Sequence, residues 1–317
     1  MIQIPNDEPK IELRGVHRVF GDTHAVNGVS FTVHAGEVFG YIGPNGAGKT
    51  TSMKILATLD EPTWGDARVD GFSVIDDPEH VRRRLGFMPD YYGAYQNVNV
   101  REYLDFFARA YGLRGADRRR AISFAMDFTG LDVLAKKPMD GLSKGMKQRL
   151  CLGRTMIHDP SVMVLDEPAA GLDPRARIEL REMIGRLADL GKAVLVSSHI
   201  LTELAEMCDR VGIIEQGRLL AVGTVDEISG QFEATSQVRL RVLGGAAAAG
   251  EWLSQHDHLE ELAVNGERVS FRHAGDEAAQ ADLLAQLIGA GFRVIEFTCK
   301  TKSLEDVFLE VTKGRIQ

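Results

Sequence analysis

The stretch that decides the fold spans residues 37–51, EVFGYIGPNGAGKTT, in which a short apolar run passes into a glycine-rich segment. The apolar run at 37–42 has the length of a buried strand, and a helix is predicted to begin after the glycines. Between the two, residues 43–50 read GPNGAGKT and match the pattern G-x-x-x-x-G-K-[ST]. We therefore predict a loop that wraps around phosphate groups where a strand meets a helix.

The residue types in this phosphate loop (residues 43–50) suit an anion. Glycines let successive backbone N–H groups curl around phosphate oxygens without a Cβ clash, and the following helix points its positive end at the anion. Lys49 would place a charge on the β- and γ-phosphates and take part in catalysis, and the Thr50 hydroxyl would bind Mg²⁺. The residues expected to hold the nucleotide here are Gly43, Asn45, Gly46, Gly48, Lys49, Thr50 and Thr51.

Two carboxylates and a histidine follow later strands. The buried-type strand at 162–165 ends in Asp166 and Glu167, and α/β proteins bind ligands at such strand ends. We expect Asp166 to hold Mg²⁺ or its water and Glu167 to take a proton from the attacking water. Because consecutive residues of a strand face opposite ways, the two acids are predicted to do different work. His199, after the strand at 193–196, is the candidate γ-phosphate sensor and a further catalytic residue.

The pattern of apolar residues divides the chain into two domains. Over residues 1–225, strands alternate with helices, which predicts an α/β core with a mainly parallel sheet and a helical subdomain at about 92–158. The predicted strands lie at 11–13, 29–33, 37–42, 85–88, 162–165 and 193–196, with later helices at 176–190 and 200–208.

Residues 226–317 form the second, accessory domain. Strands at 237–243, 259–264, 268–272 and 292–297 alternate with helices at 246–255 and 276–290, and a last helix is predicted at 303–311. The Asn265-Gly266 pair predicts a hairpin turn. The order βαββαβ plus a helix fits a small ferredoxin-like α+β domain.

Composition excludes several classes of protein. Of the 317 residues, 44% are apolar and 26% are charged, which is typical of a globular chain. No apolar run approaches the ~20 residues of a membrane span, and the N-terminal MIQIPNDEPK does not resemble a signal peptide. The net charge is −8, and residues 226–317 hold 9 basic against 15 acidic residues. Neither part of the chain has the excess of basic residues that a nucleic-acid-binding protein needs, so nucleic acid is not expected as a partner. The three cysteines are widely spaced and predict buried, reduced thiols.

Residues 142–149, LSKGMKQR, lie just before the Asp166 strand and resemble the signature motif of ABC-transporter ATPases. The resemblance extends over about 10–225: Phe20 fits the aromatic residue that stacks on adenine, AGLD at 170–173 fits the loop after the acidic pair, and His199 fits the switch histidine. It implies a P-loop ATPase that works as a homodimer, or with a paired ATPase subunit, closing over two ATP molecules. In that arrangement, Ser143 and Gly145 of one subunit contact the γ-phosphate bound by the other.

Three positions depart from the family pattern. Lys144 adds a charge to this signature segment (residues 142–149), and Met146 replaces a glutamine, which removes an amide. Asp90 stands where the family has a glutamine that reaches Mg²⁺ and the permease side. Asp90 is shorter and charged, and we expect it to keep a role at the metal-bound water with altered coupling. A simple turn residue is the alternative interpretation of Asp90.

The last segment, SLEDVFLEVT at 303–312, resembles the closing segment of ATPase subunits of drug and antibiotic exporters. The resemblance implies an ATPase that powers a separate transmembrane permease from the cytoplasmic face of the membrane, with an accessory C-terminal domain. The alternative is a soluble ABC-type ATPase that acts without a permease, such as a translation, DNA-repair or cluster-assembly factor. The single phosphate loop and the short interval of about ninety residues between Lys49 and Ser143 disfavour the translation and repair types.

Overall fold

The computed structural model describes residues 8–90, 93, 97–200, 207–224, 227–228, 236–256, 259–273 and 275–300. The chain divides into two compact units, Met1–Thr224 and Val225–Gln317. Most of the helix predicted at 200–208 and all of the segment at 303–312 lie outside the described residues. Within the described part, no helix has the length and apolar character needed to cross a membrane.

The first unit contains ten strands, six α-helices and two short 3-10 helices, Asp132–Leu134 and Met139–Gly141, among its described residues. The strands are β1 (Ile11–Phe20), β2 (Thr23–Val33), β3 (Val38–Ile42), β4 (Trp64–Val69), β5 (Phe72–Ser73), β6 (Leu85–Met88), β7 (Val162–Leu165), β8 (Ala193–Ser198), β9 (Arg210–Glu215) and β10 (Arg218–Gly223). The helices are α1 (Lys49–Leu56), α2 (Pro78–Arg84), α3 (Val100–Ala110), α4 (Gly115–Thr129), α5 (Lys144–Thr155) and α6 (Pro174–Asp189).

A six-stranded sheet in the order β10-β9-β3-β8-β7-β6 forms the centre of this unit. Its strands run parallel except for β10, which pairs antiparallel with β9 at the edge. Every residue of β3, β7 and β8 is buried, because both faces of a parallel sheet are covered. The predicted α/β class with a mainly parallel sheet is confirmed. The central position of β3 places the phosphate loop at the middle of the sheet's carboxyl edge.

A second, antiparallel sheet packs on the first one. Its order is β2-β1-β4-β5, and both β1 and β2 are far longer than the short strands predicted from the sequence. The Phe31 ring of β2 stacks on the Phe39 ring of β3 with 4.8 Å between centroids. One apolar core therefore joins the two sheets and fixes the strand that leads into the phosphate loop.

The predicted helical stretch is confirmed in α3, α4 and α5. Asn99 and Glu102 form a capping box at the start of α3, in which each side chain accepts from the other residue's backbone N–H. Gly130, at φ +62°, follows α4 and ends it with a left-handed residue. Ser143 caps α5, so the signature segment passes directly into a helix.

The second unit is built on a four-stranded antiparallel sheet in the order β12-β13-β11-β14. Its elements are β11 (Ser236–Val242), α7 (Ala246–Leu253), β12 (Leu259–Asn265), β13 (Arg268–His273), α8 (Glu277–Gly289) and β14 (Val294–Lys300). The predicted βαββαβ order is confirmed, and this strand order is that of a ferredoxin-like domain. One detail of the hairpin was wrong. Asn265 pairs with Arg268, so the turn residues are Gly266, at φ +62°, and Glu267.

Candidate nucleotide-binding site

The phosphate loop connects β3 to α1, and its glycines serve different purposes. A Cβ on Gly48, whose φ is +106°, would lie 2.3 Å from the carbonyl oxygen of Ala25. A Cβ on Gly43 would lie 2.3 Å from the carbonyl oxygen of Ile214. By contrast, Gly46 at φ +82° has nothing within 4 Å of a Cβ position. Two glycines therefore permit close backbone packing, and the third supplies the left-handed turn alone.

The hairpin that joins β9 and β10 packs against the phosphate loop. The backbone N–H of Gly217 donates to the carbonyl of Ala47 over 2.9 Å, and the Gly217 carbonyl accepts from Asn27 over 2.8 Å. The loop is thus held between β2 and this hairpin. Sequence reasoning missed Gly217 because no motif marks a contact between segments so far apart in the chain.

A cavity of about 190 Å³ opens at the loop. It brings together most of the predicted phosphate-binding residues with Asp90 and Glu167, and its lining residues are Ala25, Pro44, Asn45, Gly46, Ala47, Gly48, Lys49, Thr50, Thr51, Asp90 and Glu167. Gly43 is not part of this lining and lies against Ile214. The cavity therefore offers backbone N–H groups and one ammonium to an anion, and the carboxylates of Asp90 and Glu167 belong to the same lining.

The Lys49 ammonium is buried at the floor of this site. Its Nζ donates to the carbonyl oxygens of Gly43 at 2.6 Å and Pro44 at 3.2 Å, and lies 3.4 Å from Oε1 of Glu167. These oxygens fix the amine beside the loop. A phosphate oxygen is a stronger, charged acceptor that the same ammonium could bind.

Asp166 and Glu167 diverge for a reason other than the one expected. Both follow β7 rather than belonging to it, so strand alternation does not apply to them, and that argument was wrong. Glu167 has φ +47°, a left-handed conformation that turns its side chain away from that of Asp166. Asp166 is fully buried and accepts a hydrogen bond of 2.6 Å from Ser197, whereas Glu167 faces the cavity.

Burial raises the pKa of Asp166 above its usual value. Hydrogen bonds from Ser197 and Thr50 act in the opposite direction, and the nearby charges of Asp90 and Glu167 raise the pKa further. Its Oδ2 is buried and has no hydrogen-bond partner among the described residues. A buried, unpaired carboxylate oxygen beside a hydroxyl is an arrangement that favours a cation.

His199 follows β8 and lies beside Glu167. Its Nδ1 is 2.8 Å from Oε2 of Glu167, and the imidazole is partly exposed. The Glu167 carboxylate therefore has Lys49 on one oxygen and His199 on the other. The three predicted catalytic residues therefore lie next to one another, and two of them, Lys49 and Glu167, line the cavity.

The signature residues lie elsewhere in the unit. Ser143 and Gly145 line a second cavity, formed by the first turns of α5 and α6, which shares no lining residue with the first one. The Lys144 ammonium lies over Gly171, since a Cβ there would be 2.3 Å from Nζ. The backbone N–H of Met146 donates to the Ser143 hydroxyl, so the missing glutamine amide leaves this cap intact.

Gln148 joins the signature helix to the acidic loop. Its buried Nε2 donates a hydrogen bond of 2.6 Å to the carbonyl oxygen of Pro168, directly after Glu167. Apart from its place in the motif, no sequence pattern marks Gln148 for this contact.

Phe20 ends β1 and is not part of the phosphate cavity's lining. Its ring is 48% exposed, and the Arg18 guanidinium stacks on it 4.4 Å from the ring centroid. An exposed aromatic face with a cation behind it is suited to stacking on a planar base.

Both units of the chain are similar to known proteins. The family model for ABC transporters matches residues 26–170, and the model described as "ATP-binding protein DrrA1-3-like, C-terminal domain" matches residues 223–312. Nod factor export ATP-binding protein I of Burkholderia lata is 34% identical over 307 residues, which are 97% of this chain and 98% of that protein. The chain belongs to the ATP-binding proteins of ABC transporters.

Other relatives of this ABC ATPase come from different bacteria. The linearmycin resistance ATP-binding protein LnrL of Bacillus subtilis is 27% identical over 95% of this chain and 98% of that protein. The solved structure of an ATP-binding subunit of an ABC transporter has a TM-score of 0.64 and 32% identity, covering 70% of this chain and 92% of that one. The predicted family and fold are confirmed, and the chain binds and hydrolyses ATP.

Proposed function

We propose that this ATPase closes in pairs over two Mg-ATP molecules and powers a separate integral-membrane permease, as part of an exporter. The observation that carries the paired arrangement is the separation of two cavities in one chain. Ser143 and Gly145 line one cavity, and the phosphate loop lines the other. A second subunit, identical or paired, would bring its signature residues to the phosphates bound here.

The nucleotide would bind with its base on Phe20 and its phosphates in the loop. Lys49 would exchange its carbonyl and carboxylate neighbours for phosphate oxygens, and the N–H groups at the start of α1 would point at the anion. Asn45 and Thr51 line the same cavity and contribute polar groups. These contacts position the γ-phosphate next to Glu167.

Thr50 in the cavity lining and the buried Asp166 beside it fit Mg²⁺. Asp166 offers a buried carboxylate oxygen that has no hydrogen-bond partner in the part of the chain that the structure describes, and Thr50 offers a hydroxyl next to it. Both are the hard oxygen donors that this cation prefers. When bound, Mg²⁺ neutralises phosphate charge and organises water. Asp90, exposed at the cavity rim, would accept a hydrogen bond from a metal-bound water.

Glu167 is positioned to act as the general base. Its Oε1 lies 3.4 Å from Lys49, and its Oε2 lies 2.8 Å from His199, which holds the carboxylate at the cavity wall. Once Lys49 binds phosphate, this carboxylate would be released to accept a proton from the attacking water. His199 would keep it oriented and contact the γ-phosphate. Such a base contributes about 10²–10⁴-fold to a rate.

The names of the relatives support an exporter partner. Nod factor export, linearmycin resistance and probable multidrug transport appear in the names of relatives that match most or all of this chain. We infer a peripheral protein on the cytoplasmic face of the membrane, docked to its permease. A direct test is affinity purification from detergent-solubilised membranes. Recovery of a polytopic membrane protein supports the transporter, and recovery of the ATPase alone from the soluble fraction supports the permease-independent alternative.

The catalytic assignment is tested by Glu167→Gln, with Glu182→Gln on the exposed face of α6 as a matched control. We expect Glu167→Gln to lower ATP turnover by about 10²–10⁴-fold while retaining ATP binding. We also expect ATP to shift this variant from monomer to dimer in analytical ultracentrifugation. Unchanged turnover would place the base elsewhere, and a persistent monomer would contradict the paired site.

A further inference from the structure

The sheet of the second unit has one apolar face and one strongly basic face. Along β11, Val238, Leu240 and Val242 are buried in the core with α7 and α8, so Arg239 and Arg241 project from the opposite face. On β13, Val269 and Phe271 are buried in the same way, which leaves Arg268 and Ser270 on the basic face.

Strand register brings these side chains together. Arg241 pairs with Arg268 on one side and with Glu296 on the other. Arg239, two residues along, pairs with Ser270 and with Thr298. Two arginines directly opposite each other are destabilising unless an anion compensates them.

Acidic residues do not neutralise this cluster. The Arg241 Nε lies 3.8 Å from Glu296, at the long end of the ion-pair range. Within the described residues, Arg239 and Arg268 form no ion pair, although residues 226–317 hold 15 acidic against 9 basic residues. A positive surface is therefore concentrated in a domain that is otherwise acidic.

A cavity of about 170 Å³ opens between these side chains, lined by Arg239, Leu240, Arg241, Arg268 and Glu296. We propose that this arginine cavity binds a phosphate group with two or more negative charges. Guanidinium groups match phosphate oxygens in a bidentate fork, and the Ser270 and Thr298 hydroxyls beside Arg239 supply further hydrogen-bond donors. The phosphate group belongs either to a soluble metabolite or to a lipid headgroup.

This site is independent of the ATPase site, because it lies in the other structural unit. Its test uses the full chain carrying Lys49→Ala, which removes the ammonium of the phosphate loop and so weakens phosphate binding there, and titrates pyrophosphate by isothermal calorimetry. This chain is the parent for the comparison. The test variant is Arg239→Gln with Arg268→Gln. The matched control is Arg293→Gln, which removes an exposed arginine of the same unit outside the cavity lining.

We expect the double variant to weaken pyrophosphate binding at least tenfold and the control to change it less than twofold. Pyrophosphate binding by the parent, in which the arginine cavity is intact, should also weaken as salt is added. The conservative pair Arg239→Lys with Arg268→Lys keeps the charge but loses the fork, so it should fall between the two. Since the side chains point away from the core, all variants should retain the circular dichroism and unfolding midpoint of the parent.

A second arm distinguishes the source of the phosphate. Vesicles of phosphatidylcholine with about 20 mol% phosphatidic acid, an anionic lipid with an exposed phosphate group, are sedimented with the same Lys49→Ala parent. Co-sedimentation that the double variant loses indicates a lipid headgroup, and pyrophosphate binding without it indicates a soluble ligand. If neither probe binds, or if the double variant binds both as the parent does, the proposal is wrong.

Discussion

The Ser197 hydroxyl donates a hydrogen bond of 2.6 Å to Oδ1 of Asp166. The Ser197 hydroxyl oxygen also accepts a hydrogen bond of 2.8 Å from the backbone N–H of Glu167. One buried side chain on β8 thus positions both acidic residues at the end of the neighbouring strand β7. The cavity wall depends on this contact, because it orients the proposed metal ligand and also fixes the left-handed turn at Glu167.

Replacing Ser197 with alanine should damage both stability and turnover. The substitution leaves a buried carboxylate oxygen and a backbone N–H without a partner, which costs about 1–3 kcal/mol of unfolding free energy. We expect ATP turnover to fall at least tenfold, with a higher Mg²⁺ concentration needed for half-maximal rate. Urea unfolding and steady-state ATPase assays measure the two effects.

Ser198→Ala is the matched control for Ser197. Ser198 is also buried on β8, but its hydroxyl accepts from the backbone N–H of Ile200 instead of contacting the acidic pair. This variant should keep the Mg²⁺ dependence of the parent. Equal shifts of the Mg²⁺ dependence in both variants would mean that Ser197 does not position Asp166.

The glycines of the phosphate loop predict an unequal pair of alanine variants. In Gly46→Ala the new Cβ has open space, so the only destabilisation is that of a left-handed alanine, about 1–2 kcal/mol of unfolding free energy. Gly48→Ala is destabilised by its left-handed backbone in the same way, and in addition its Cβ would lie 2.3 Å from the Ala25 carbonyl oxygen. We expect Gly48→Ala to be the more destabilised of the two in urea unfolding. An equal loss in both variants would show that the contact with Ala25 relaxes without cost.

The contrast between these contacts and the motifs explains what the sequence could predict. Lys49 and Asp166 could be predicted because each belongs to a short, contiguous motif next to an apolar strand. Ser197 and Gln148 act through hydrogen bonds to residues 31 and 20 positions away, and no local pattern marks such contacts. Gly217 was missed for the same reason.

Backbone conformation is a second reason why parts of the structure could not be predicted from the sequence. The α/β alternation and the βαββαβ order follow from periodicity, which depends on neighbouring residues. The direction of the Glu167 side chain depends on φ +47°, which periodicity does not encode for a residue type that seldom adopts it. The lengths of β1 and β2 were underestimated because irregular register shifts in their pairing interrupt the alternation.

The three free thiols should differ in reactivity. Burial raises the pKa of Cys151 to about 11 and raises that of Cys208 strongly, and the more accessible Cys299 is also raised. Because the thiolate is the reactive form, we expect iodoacetamide at pH 8 to alkylate Cys299 first. Cys151 should react about 10²–10³-fold more slowly than an ordinary thiol, given its thiolate fraction. Peptide mass spectrometry reads the order, and in urea all three should react alike.

His158 should make stability depend on pH. It stacks on Tyr111 with 3.8 Å between ring centroids, and its Nε2 lies 3.2 Å from the carbonyl oxygen of Leu85. Burial lowers its pKa to about 4; the Leu85 carbonyl and Asp159 partly oppose this, and Lys192 adds to it. Below pH 6.5, His158 therefore binds a proton in the unfolded chain but remains neutral in the folded chain. The free energy of unfolding consequently falls as the pH drops from 6.5 towards 4.

A double comparison isolates that contribution. We expect His158→Gln to be less stable than the parent at pH 7.5, since the ring stack is lost, and to lose less stability on acidification. Between pH 6.5 and pH 5 the gap between the two proteins should change by about 1.5 kcal/mol in favour of the variant. His24→Gln, which alters an exposed histidine, should follow the parent at every pH. A constant gap between parent and His158→Gln in urea unfolding would show that His158 becomes protonated in the folded protein as readily as in the unfolded chain.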